Sequence, residues 1–199
     1  MRKRRLYVLA ATMLLAVGGA SYALAAHGDR HGPGPGNGPH VQGFHATLSG
    51  LQETPANFTT GSGEFDATLD PSAPTPTIHY VFSYSHLKGQ LVTNGKVLFA
   101  HVHFGQPNVA GGVSFFLCDN SAAHASPNTC PDDGSGSGTV EGDITAANVI
   151  GPNAQGIEPG SFGEFVRAMQ AGVAYANIHT TRWPSGEIRG EINANGDDD

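Results

Sequence analysis

The 199-residue chain carries 10 Lys and Arg against 17 Asp and Glu, a formal net charge of −7. So acidic a chain offers no basic stripe to neutralise phosphates, which excludes nucleic acid as an expected partner. Its length allows one domain between two flanking segments.

Residues 1–25 join a basic head to an apolar run and an Ala-x-Ala site at Ala23 and Ala25, the layout of a secretory signal peptide. A membrane anchor is the alternative reading. Against it, the apolar run is shorter than the roughly 20 residues a bilayer requires, and Gly18 and Gly19 interrupt its end. Cleavage removes four basic residues and no acid, moving the formal charge from −7 to −11. The remaining chain is expected to be secreted, extracellular or periplasmic, with no membrane span. Residues 26–42, "AHGDRHGPGPGNGPHVQ", read as a flexible Gly/Pro/His tether whose His27, His31 and His40 could hold metal weakly. Residues 194–199 form an acidic tail.

From 43 to 193 the dominant pattern is alternation of period two. "FHATL" (44–48), "EFDATL" (64–69) and "IHYVFSY" (78–84) each place their large apolar residues on one face, and His45 and His79 on the other. "KVLFAHVHF", "GVSFFL", "GTVEGDI", "VAYANIH" and "GEIRGEI" follow, separated by Gly, Pro, Asn and Asp clusters. These segments predict an all-β domain, an antiparallel β-sandwich or barrel of about eight strands. Between the first two, "LSGLQETPAN" makes a turn in which Glu53, before Pro55, has a structural or a functional role.

Cys118 and Cys130 are the only cysteines. In an exported chain they are expected to form a disulfide tethering "DNSAAHASPNT", a Cys-Cys-His metal site being the alternative. The segment 161–172, "SFGEFVRAMQAG", changes period. Phe162, Phe165, Val166 and Met169 share a helical face, Ser161 and Glu164 have capping-box spacing, and Gly172 stands where a helix would stop. It predicts one short helix packed over an end or edge of the sheet.

In "FAHVHFG", His101 and His103 fall on the same strand face, so their imidazoles could converge on one ion; a third ligand is needed. His179, at the end of "YANIHT", is the best third candidate, sharing a face with Tyr175 and Asn177. If the flanking strands form a hairpin, His179 faces Glu187 and Asn177 faces Arg189, and Glu187 would orient the ligating imidazole. The alternative is that the histidines only hydrogen-bond the sheet, with Glu187 and Arg189 an exposed charge pattern.

Taken in order, "ATLSGLQETPAN", "GSGEFDATLD", "IHYVFSYSHLKG", "AHVHFG" and "GVAYANIHTTRWPSGEIRGEI" resemble the CHRD domain, over about 43–192. The resemblance implies a β-rich extracellular module, and its A-H-[IV]-H and [VI]-H-T motifs fall on His101, His103 and His179. "HVH" alone is also similar to copper–zinc superoxide dismutase, with no ordered counterpart of that enzyme's other ligands. The expected function is therefore a secreted binding module rather than an enzyme, holding copper or zinc through neutral imidazoles, with affinity falling below pH about 6.5. The alternatives are a metal-free module that grips an extracellular protein or glycan, for instance with loop 105–112, and a metal-dependent redox enzyme.

Overall fold

The computed structural model describes residues 41–195 apart from Gln90, Ala122, Ala125 and Pro127. The expected signal peptide and acidic residues 196–199 lie outside the described residues, as does the tether up to residue 40.

Each alternating segment forms a strand: β1 (Gln42–Ser49), β2 (Ser62–Asp70), β3 (Thr77–Ser85), β4 (Val97–Phe104), β5 (Gly112–Asp119), β6 (Gly138–Ile144), β7 (Ala174–Thr180) and β8 (Ile188–Glu191). A two-residue β9 (Asn193–Ala194) pairs with β1. All recorded pairings are antiparallel, in the order β5-β4-β7-β8-β1-β2-β3-β6. The sheet curls into a nearly closed barrel, which decides between the two expected architectures.

The end strands β5 and β6 are joined across the remaining gap by other groups. The Tyr80 hydroxyl on β3 donates to the Leu117 carbonyl on β5 at 2.7 Å. The Asp119 N–H on β5 donates to Asn128 at 3.0 Å, and the Asn128 amide donates to the Glu141 carbonyl on β6 at 3.2 Å. Cys118 on β5 is bonded to Cys130 and closes this strap. A loop of that length stabilises by about 3 kcal/mol in the chain-entropy model. A Cys118→Ser/Cys130→Ser variant is expected to melt several degrees lower, and an unchanged melting temperature would show the strap is held by its hydrogen bonds alone.

Inside the barrel, Phe44, Leu48, Phe65, Ile78, Tyr80, Phe82, Val102, Phe115 and Ile178 are buried, each large apolar side chain contributing roughly 1.5–3 kcal/mol. The helix α1 (Phe162–Gln170) lays Phe165 and Met169 on this core, Phe165 meeting Phe115 edge to face at 5.0 Å. It stops at Gly172, which takes the left-handed φ of 64°. The capping box does not form: the Ser161 side chain makes no cap bond, and Glu164 pairs instead with Arg167 at 2.9 Å. The tight turn ending at Gly160 (φ 84°) sets the helix entry.

β2 alternates buried and exposed, but every residue of β7 is buried. A strand buried on both faces has something covering its outer side. That cover is where the histidines lie. No helix among the described residues is long and apolar enough to cross a membrane.

Candidate metal centre

Register alone places the cluster. β4 and β7 pair Phe99 with His179, His101 with Asn177 and His103 with Tyr175; β7 and β8 then pair Asn177 with Arg189 and Tyr175 with Glu191. These residues share the outer face, because every second residue of a strand does. The β4–β5 pairing shifts at Ala100/His101 and Val102/His103, where Leu117 and Ser114 are the extra residues on β5, while β4 stays in step with β7 from Phe99 to Phe104.

One ring nitrogen from each of His101, His103 and His179 lies within 4.8 Å of the other two. The His101 ring centroid is 4.3 Å from that of His103 and 4.6 Å from that of His179. A zinc ion with bonds of about 2.0–2.1 Å needs its nitrogens about 3.3 Å apart, so the rings would draw together to hold one.

The hydrogen bonds decide which nitrogens are available. His103 Nδ1 lies 2.8 Å from the Gly111 carbonyl, and His179 Nδ1 lies 2.8 Å from the Pro184 carbonyl. A carbonyl only accepts, so each Nδ1 carries the proton and each Nε2, when the ring is neutral, keeps a lone pair. Both Nε2 atoms and His101 Nδ1 are buried without a partner. Orienting an imidazole through its other nitrogen is how proteins hold metal ligands.

Burial drives all three rings toward the neutral form. Desolvation takes His103 and His179 down to about 4; the Gly111 and Pro184 carbonyls oppose it. His101 is held well below the usual histidine range by burial first and then by His103, His179 and His124. The pH at which protons compete with an ion, expected near 6.5, therefore moves down toward 4.

The surroundings are tightly fixed. Tyr175 stacks on His103 at 4.5 Å with an interplanar angle of 9°, and the Arg189 guanidinium lies 3.4 Å over the Tyr175 ring. Gly111 accepts from His103 and donates its N–H to the Tyr175 hydroxyl at 3.0 Å. A Cβ at Gly111 would stand 1.9 Å from the Phe104 carbonyl oxygen. Gly111→Ala must shift that carbonyl, and is expected to weaken metal binding about 10–100-fold while the β-sheet circular dichroism is kept. Equal affinity in the variant would remove Gly111 from the site.

Asn177 and Arg189 face one another as the expected hairpin requires. Both Arg189 and Glu187 are buried, 1% and 0% exposed, so neither belongs to a solvated charge pattern. The Glu187 carboxylate accepts from Thr59 (2.6 Å), Thr180 (2.8 Å) and the Gly89 N–H (3.0 Å). His179 is oriented by Pro184 instead. The ladder ends at Ile178 and Ile188, and Glu187 follows a turn in which Gly186 takes a φ of 129°, so regular cross-strand facing is lost there. His45 and His79 lie on the exposed face, paired with Asp66 and Asp143.

Three contributors carried little or no local signal. Glu53 packs against Gly186, and burial pushes its carboxyl up to about 7, with Arg189 pulling it down. His124, from the disulfide strap, stacks on Phe116 at 4.2 Å, and Phe116 in turn meets His101 edge to face. The Pro184 carbonyl belongs to backbone and has no side-chain signature.

Comparison with known proteins agrees with the motifs. Searches of curated proteins and of solved structures returned no match. The family model described as the CHRD domain matches residues 44–192, which include the whole histidine cluster and all but the ends of the barrel. The chain belongs to the CHRD domain family.

Proposed function

We propose that this CHRD domain is a secreted binding module that holds one copper or zinc ion through His101, His103 and His179. The observation that carries this reading is the trio of buried, unpartnered ring nitrogens, two of them on imidazoles whose other nitrogen is anchored to a backbone carbonyl. An unpartnered buried polar atom costs about 1–3 kcal/mol, and an ion would remove three such costs together. Nitrogen donors suit copper and zinc better than calcium or magnesium. Secretion is supported by the signal-peptide pattern and by the Cys118–Cys130 disulfide.

Substituting His101 by Leu separates a ligand role from a structural one. Without metal, the variant is expected to be as stable as the parent or more so, because an unpaired polar ring has been removed. It should also lose the rise in melting temperature that copper or zinc gives the parent. A variant destabilised by more than about 2 kcal/mol, in a parent that metal does not stabilise, would make the histidines structural.

A second reading is a metal-free protein- or glycan-interaction module. It is favoured by Leu51, Phe58 and Val109, which are exposed on connections β1–β2 and β4–β5, the two that Arg189 ties down through Thr54 and Val109. A redox enzyme is the outside alternative, and metal-loaded protein without superoxide or peroxide turnover would remove it.

A further inference from the structure

Further unpartnered atoms lie on the face of the histidine cluster: Asn177 Oδ1, Glu53 Oε1 and, beyond Tyr175, Glu191 Oε2, whose other oxygen is held by Arg189. Asn177 is the cross-strand neighbour of His101 and stands two residues before His179. Its amide lies within hydrogen-bonding reach of both His103 and Glu53, and the Glu53 carboxyl also meets the Thr54 N–H. The Glu53 carboxyl occupies the place a side chain at Gly186 would take, since a Cβ there would be 2.4 Å from Glu53 Oε1. Asn177 is 3% and Glu53 9% exposed, so bulk water does not satisfy these oxygens.

The nearby donors are already engaged. Arg189 gives its hydrogens to Thr54, Gln106, Val109 and Glu191, and the Gly111 N–H goes to Tyr175. Of the eight buried side-chain nitrogen and oxygen atoms without a partner among the described residues, five belong to His101, His103, His179, Asn177 and Glu53. An ion bound by three imidazoles accounts for the nitrogens and leaves the two oxygens idle. Acceptors beside an ion are complementary to a molecule that gives its own lone pair to the ion and its hydrogens to the acceptors.

Resting on the metal-binding reading above, we propose that Asn177 and Glu53 form a subsite for a small protic ligand of the ion, water in the resting protein. The ion would then have three protein ligands and one exchangeable position, the arrangement of reactive rather than closed structural sites.

The test uses the full chain loaded with copper(II), and Asn177→Leu and Glu53→Leu variants loaded alike. Electron–nuclear double resonance in H2O and D2O reads exchangeable protons on the ion, and azide titration reads displacement of the ligand they belong to. The parent is expected to show strongly coupled exchangeable protons. Each variant should keep one copper and bind azide about three- to ten-fold more tightly, because the water it displaces has lost a hydrogen bond worth 0.5–1.5 kcal/mol. No strongly coupled exchangeable protons, beyond the weakly coupled N–H protons of the imidazoles, in a copper-loaded parent would overturn the subsite while leaving the metal reading intact, as would unchanged azide affinity in both variants. A parent that takes up no copper or zinc would overturn the metal reading and the subsite with it. Should one variant fail to fold, the other carries the comparison.

Discussion

Without metal, lowering the pH from about 6.5 to about 4 is expected to destabilise the protein by about 3 kcal/mol for each of His103 and His179, at 1.36 kcal/mol per unit. Both side chains have folded-state values near 4, against an ordinary value of 6.5. In that window the unfolded chain takes up protons that the folded chain refuses, so stability is complete above about 6.5 and is lost as the pH falls. His101 acts in the same direction. Glu53 opposes them: its carboxyl is raised, so it favours the folded state at low pH and loses that contribution as the pH rises through about 7. Arg189, its partner Glu191 and the His124 ring also face the cluster. Urea unfolding in the presence of a chelator at pH 7, 5.5 and 4.5 measures the slope, and His103→Leu/His179→Leu should flatten it. Equal stability at the three pH values would mean that the rings are not held neutral by burial.

Replacing Arg189 by Ala should cost about 3–5 kcal/mol, since it breaks a buried ion pair and leaves the partner uncompensated. Arg189 is 1% exposed and pairs with Glu191 at 2.7 Å. The same guanidinium donates to the Gln106 and Val109 carbonyls and the Thr54 hydroxyl, and covers the Tyr175 ring. It thus ties two connections to the strand pair beneath the histidines. At about 2–4 °C per kcal/mol for a chain of this size, the melting temperature should fall by roughly 10 °C. Arg189→Lys keeps the charge but cannot fork between carboxylate and carbonyls, so an intermediate loss is expected. A loss below about 1 kcal/mol in Arg189→Ala would contradict this role.

The strands were legible wherever one face meets the core and the other meets solvent, though not whether they close as a barrel or pack as a sandwich. "EFDATL" shows this in plain alternation, and β2 buries Phe65, Ala67 and Leu69 as that alternation requires. The same rule placed His101, His103 and His179 on faces that could meet. The meeting itself depends on β4 lying beside β7, a pairing between residues 70 or more apart in sequence that no local pattern specifies. Alternation says least for β7, where both faces are buried and the polar residues point into a covered cluster. Glu187 shows the reverse limit: the hairpin register was readable from "TRWPSGEIRGEI", but the turn at Gly186 takes the carboxylate to Thr59, Thr180 and Gly89. Glu53 was visible as a turn residue two positions before Pro55. Its burial against Gly186 arises only when the β1–β2 connection folds over the far end of the chain.

The most direct test of a three-histidine metal centre is calorimetric titration of the full chain with copper and with zinc at pH 7, beside a His101→Ala/His103→Ala variant that retains the His-rich segment. The account predicts that the parent binds one equivalent more than the folded variant, with unchanged stoichiometry at pH 5.5, where burial keeps the rings neutral. Equal uptake by parent and variant would contradict it, and would leave the three imidazoles as structural members of the barrel wall.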